Sequence, residues 1–141
     1  MSTPSSEFVE RMLREVSATQ GFNKWLGVEL IQAGGGKAEI CIPIRPEISQ
    51  HHGFVHGGII GALADIACAW AAVSAVGDVV TSGITLQFLA PAKGTRLRAV
   101  GTVLKAGKRN VSVEARVFAE TGNEEPKLVA AGLGMIAATG V

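Results

Sequence analysis

The stretch from His56 to Val76 contains no proline, no Lys or Arg and one acidic residue, Asp65. Such a run reads as one long apolar helix, and a helix of that kind must lie either in a bilayer or inside a folded domain. Asp65 separates the two. A central aspartate costs roughly 2.5–3.5 kcal/mol on membrane-insertion scales, and the run is mostly Ala and Gly with no basic anchor close to either end. The expectation is a central helix over residues 56–76 covered by the rest of the chain, with no membrane as partner.

The flanking sequence has to supply that cover. At 141 residues the chain has room for a single domain, residues 1–141, with a core of its own. Thr3-Pro4 would cap and begin an amphipathic helix over residues 3–18, with Phe8, Val9, Met12, Leu13 and Val16 on one face. Glu7 with Arg11, and Glu10 with Arg14, stand four apart with the acid first, the order that favours pairing. Residues 21–26 read as a connector. Residues 27–33 and 37–44 read as strands joined at Gly34-Gly35-Gly36. In the second, Ala38, Ile40, Ile42 and Ile44 alternate with Lys37, Glu39 and Cys41, the period of a sheet with one buried face. Pro43 and Pro46 place this hairpin at a sheet edge, where a missing N–H costs least. Residues 47–55 form a loop. Past Gly77-Asp78 come four further strands over residues 80–89, 95–105, 111–119 and 127–137. The breaks between them are short enough for hairpins, which predicts an antiparallel meander.

These elements sum to an α+β fold, a curved antiparallel sheet of about six strands wrapped around the central helix. One sheet cannot cover a helix that is apolar all round, and Gly57, Gly61, Ala62, Ala69 and Ala72 allow a neighbour to approach closely. A homodimer is expected. Thirteen Lys+Arg against 12 Asp+Glu leave a net charge of +1, which argues against nucleic acid as a partner. Cys41 and Cys68 sit in apolar segments without CxxC spacing, so neither a disulfide framework nor a zinc site is expected. The N-terminus has no basic flank followed by an apolar run, and a cytoplasmic location is expected.

Asp65 has Gly61, Ala62, Cys68 and Ala69 three and four residues away, so nothing on its own helix can pair with it. A buried carboxylate without partners costs several kcal/mol or takes up a proton. Either it is structural, hydrogen-bonded across to a strand or a partner subunit, or it does chemistry. His56-Gly57-Gly58 at the helix start presents backbone N–H groups with no side chain in the way, which suits a developing oxyanion. Gly57 and Asp65 are eight residues apart. That is roughly 12 Å along a helix axis, too far for both to reach one carbonyl carbon. If both serve one substrate, they come from two antiparallel helices across a dimer axis. The His51, His52 and His56 cluster has no Cys or carboxylate beside it, and Gly53 breaks helical spacing between His52 and His56, so no metal is expected. No Rossmann or P-loop spacing and no GxSxG occurs, so no cofactor is expected.

Gly53-Phe54-Val55-His56-Gly57-Gly58 with Ala64-Asp65, then Thr81 through Phe88-Leu89-Ala90-Pro91-Ala92, Gly107-Lys108-Arg109 and Leu128-Val129-Ala130 resemble the hotdog-fold acyl-CoA thioesterases, in particular the phenylacetate-pathway (PaaI-like) branch. The resemblance runs from Leu26 onward. It implies a hotdog fold, a dimer that often pairs into a tetramer, and hydrolysis of an acyl-CoA without metal or cofactor. It would make Asp65 the catalytic carboxylate, attacking the thioester or activating water, and the Gly57 N–H the group that polarises the carbonyl, helped by His56. Many relatives carry Asn where this chain has Gln50, which would hold the water or the carbonyl, and Thr81 stands where they place a small hydroxyl residue. CoA phosphates would meet Lys108 and Arg109, with Arg96 and Arg98 on the preceding strand. Gly58, Phe54, Trp70 and Phe88 are the candidates for holding the substrate. Two other readings share the fold: a non-catalytic acyl-CoA binding module, and a hydratase or dehydratase.

Overall fold

The computed structural model describes residues 4–140. The first helix, α1, covers Ser6–Thr19, and its cap is Ser5, whose Oγ accepts the Phe8 N–H at 3.2 Å. Thr3, the expected cap, lies outside the described residues. Val9 and Leu13 are buried, whereas Phe8 and Val16 stay exposed. The expected Glu7–Arg11 and Glu10–Arg14 pairs do not form among the described residues. Glu10 accepts the Ala33 N–H at 3.0 Å, Arg14 donates to the Leu30 carbonyl at 3.3 Å, and Arg11 lies over the Phe8 ring. Ala33 and Leu30 belong to an edge strand with backbone groups to satisfy, and the helix packed along that edge spends its charges on them. The expected connector is a short helix, α2 (Gly21–Leu26), closed by Gly27 at φ 76°.

Strands β1 (Glu29–Gly34) and β2 (Lys37–Pro43) form the first hairpin. Gly35 and Gly36 turn it at φ 60° and 82°, left-handed values open to glycine at both positions. The central helix α3 is Gly57–Val76, followed by β3 (Val79–Phe88), β4 (Arg96–Ala106), β5 (Asn110–Glu120) and β6 (Lys127–Ala138). The sheet order is β1-β2-β4-β5-β6-β3, antiparallel throughout. The expected four-strand meander is therefore only three strands long. Residues 89–95 do not close a β3–β4 hairpin, because the Ala92 carbonyl takes the Val55 N–H and the Thr95 carbonyl takes the Ile44 N–H. The chain crosses from one sheet edge to the interior, and β3 becomes an edge strand beside β6. Pro43 ends β2, an interior strand, where it pairs with Arg96.

Leu63, Ala64, Ala67, Cys68, Ala71 and Ala72 of α3 are fully buried against the sheet. The approach is closest at β4, where a Cβ on Gly101 would stand 2.4 Å from the Ala67 carbonyl oxygen. The far side of α3 is not covered. Gly58, Gly61, Ala62, Asp65 and Ala69, spaced three and four apart, form an open or half-open stripe along the helix.

Candidate active site

His56 caps α3. Its backbone is extended (φ −60°, ψ 134°) and its Nδ1 accepts the Gly58 N–H at 2.8 Å, so the ring carries a proton on Nε2 when neutral. Its carbonyl accepts from Ile59 at 2.9 Å and from Ile60 at 3.2 Å. Three of the four amides at this terminus are thereby satisfied. The fourth belongs to Gly57, which as the first helical residue has no acceptor within the helix and none elsewhere among the described residues. It carries the positive end of the helix dipole.

Gly57 lines a pocket of about 350 Å³ with Gln50, Phe54, Ile60, Phe88 and Pro91. The loop before α3 builds one wall. The Gln50 N–H reaches the Phe54 carbonyl at 2.7 Å and the Gly53 N–H reaches the Gln50 carbonyl at 2.9 Å, with Gly53 at φ 85°. The end of β3 builds the other, and the Phe88 ring sits 3.4 Å from where a Gly57 Cβ would be. Gln50 Oε1 accepts the His52 N–H at 2.6 Å, which leaves its amide nitrogen as the free donor. The wall residues Leu89, Ala90 and Pro91 belong to the Phe-Leu-Ala-Pro-Ala run that begins at the end of β3, and that run is the sequence signal for them.

Asp65 is half-buried on the open stripe of α3, and it is not unpaired. Thr81 Oγ1 donates to Asp65 Oδ1 at 2.6 Å. Thr81 pairs with Ile136 just before an irregularity in the β3–β6 register, and its bond to Asp65 places its side chain on the helix side of the sheet. One turn along, burial and then the Asp65 charge push the Cys68 thiol up to about 12. Asp65 does not line the Gly57 pocket of its own chain.

Other expected site residues lie elsewhere. Trp70 is buried and lines a different cavity, beneath α1 and α2, so it is no wall of the Gly57 pocket. Arg98 is committed on the outer sheet face, with Glu120 at 3.2 Å, Glu39 at 3.7 Å and the Phe118 ring 4.6 Å away. Arg96 is paired with Glu120 as well. Register puts Glu120 directly opposite Arg96, while Arg98, opposite Phe118 and Cys41, takes Glu120 and Glu39 as diagonal neighbours, so neither arginine is a free phosphate ligand. Lys108 and Arg109 occupy the exposed β4–β5 turn, with no ion-pair partner among the described residues. The His51 and His52 rings lie 4.0 Å apart, and among the described residues no three His, Cys, Asp or Glu side chains are grouped to hold a metal.

Residues 52–126 match the family model described as the thioesterase superfamily. The chain is 31% identical over 108 residues to the acyl-coenzyme A thioesterase PaaI of Escherichia coli, across 76% of this chain and 74% of that protein. It is 34% identical over 93 residues to a candidate esterase of Saccharolobus solfataricus, across 64% of this chain and 66% of that protein. Among solved structures, a thioesterase family protein from Silicibacter pomeroyi superposes with a TM-score of 0.86 at 28% identity, covering 92% of this chain and 96% of that one. The E. coli PaaI structure does so at 0.83 and 26%, covering 94% of each.

Proposed function

The chain belongs to the thioesterase superfamily and has the hotdog fold, and from that premise we propose that it hydrolyses acyl-CoA thioesters at a site shared between two subunits. The observation that carries the reading is the Asp65–Thr81 hydrogen bond on the uncovered stripe of α3: a carboxylate held in place on a surface that has no other use in one chain. The homology to E. coli PaaI supports an acyl-CoA as substrate. The unspent Gly57 N–H, beside a pocket with apolar walls, supports a carbonyl as the group received.

Two copies with antiparallel α3 helices would bring Asp65 of one towards Gly57 of the other, closing the roughly 12 Å that separate them along one helix. The thioester carbonyl oxygen would then accept from the Gly57 N–H. The Gln50 amide nitrogen is the second available donor. Asp65 either removes a proton from water as the water attacks the carbonyl carbon, or attacks it directly to give an anhydride that water opens. In both routes the C–S bond breaks, the thiolate of CoA leaves and takes a proton, and the acid is released. Lys108 and Arg109 are the free cations for the CoA phosphates.

Thiol release from a panel of aryl and fatty acyl-CoAs tests the reading. Asp65→Asn is expected to lower kcat by about 10²–10⁴-fold, the usual yield of a positioned base. Turnover at the wild-type rate in that variant would end the proposal. Label found in the Asp65 carboxylate after a single turnover in oxygen-18 water would identify the anhydride route, with water opening the anhydride at its aspartyl carbonyl.

A further inference from the structure

The larger cavity, about 640 Å³, lies away from the Gly57 pocket, between α1, α2, the start of β1 and the far half of α3. Trp70 contributes apolar surface with Val28 and Leu30, and Arg14 and Lys24 bring two cations against the single carboxylate of Glu29. Asn23 also lines it and is 3% exposed. Its Nδ2 donates to Ser17 Oγ at 3.2 Å, while its Oδ1 has no partner among the described residues. That oxygen is not among the fully buried unpaired atoms, so it opens to the cavity and is free to accept from something that enters. An excess cationic charge beside it calls for an anion, and the apolar surface calls for a body to bury.

We propose that this cavity is a second binding site, for a small organic carboxylate whose apolar body carries a hydrogen-bond donor such as a hydroxyl. The carboxylate meets Lys24 and the Arg14 N–H groups not donated to the Leu30 carbonyl, the body lies against Trp70, and the donor reaches Asn23 Oδ1. The site uses none of the residues assigned to thioester hydrolysis, so it stands or falls without that reading.

Trp70 is also the reporter. The chain has two tryptophans, and Trp25→Phe leaves Trp70 alone in the otherwise intact protein. Its emission would be followed while 4-hydroxyphenylacetate, phenylacetate and tyramine are added in turn. The first should give a saturable change. Phenylacetate, lacking the donor, should bind about tenfold more weakly, and tyramine, lacking the carboxylate, should not bind measurably. Arg14→Gln with Lys24→Gln, both at exposed positions, should weaken the hydroxy acid by about tenfold or more. Asp65→Asn should leave its affinity unchanged. No saturable response, equal binding of the three compounds, a response untouched by the paired Gln substitutions, or one abolished by Asp65→Asn would each overturn the proposal.

Discussion

Gly57 owes its proposed role to one N–H, and that group can be removed without touching the rest of the helix start. Proline is well tolerated at the first helical position, and His56 before it already has the extended backbone that a residue preceding proline requires. A Cβ there would make ordinary contact with the Phe88 ring. Gly57→Pro is therefore expected to keep its unfolding free energy within about 0.5 kcal/mol and to lose about 10²–10³-fold in kcat, as removal of an oxyanion donor does. Urea unfolding and thiol release, run on the same preparation, check both halves. Thr81 acts through Asp65 rather than on substrate. Thr81→Val should lower kcat by about tenfold with little change in KM, the cost of a lost hydrogen bond to a charged group, and Thr81→Ser should restore it.

At the level of elements, the contact between α3 and β4 is backbone against backbone. Gly101→Ala would put a methyl 2.4 Å from the Ala67 carbonyl oxygen and 2.7 Å from its carbon. Neither can swing aside as a side chain could, so the expected cost is about 1–3 kcal/mol, read from the urea midpoint. On the other face of the sheet Glu120 ties β5 to β4. Burial pushes its carboxyl up, but the hydrogen bonds from Arg96 and Arg98 outweigh burial and hold it below its ordinary value of 4.5. A depressed value in the folded state contributes stability that is present above the ordinary value and lost as the pH falls through the folded one. The gap in stability between wild type and Glu120→Gln should be widest near neutral pH and close as the pH drops below 4.5. A gap of constant size down to acid pH would show that the ion pairs do not set it.

At the scale of the whole molecule, the composite site makes a prediction that no single-subunit site shares. Asp65→Asn and Gly57→Pro should each be inactive alone, yet subunits of the two kinds mixed and refolded together should recover activity. Each heterodimer pairs one doubly damaged site with one intact site. Additive, near-zero rates in the mixture would assign the chemistry to one chain. Much of this architecture was legible in the chain itself. Helix α3, the Gly35-Gly36 turn and the alternation in β2 follow from contacts a few residues long, which periodicity and turn chemistry report directly. The bare terminus at Gly57 and the one carboxylate, Asp65, are visible on that helix in the same way. Only the tertiary structure decided that β3 lies beside β6 rather than β4, that Thr81 reaches Asp65, that Glu120 and Glu39 claim Arg98, and that Trp70 faces another cavity. Each depends on which distant strands become neighbours and in what register. The short linker at residues 89–95 suits a hairpin and a crossover equally, and the competing hydrogen bonds that settle it exist only once the loop before α3 has folded against it.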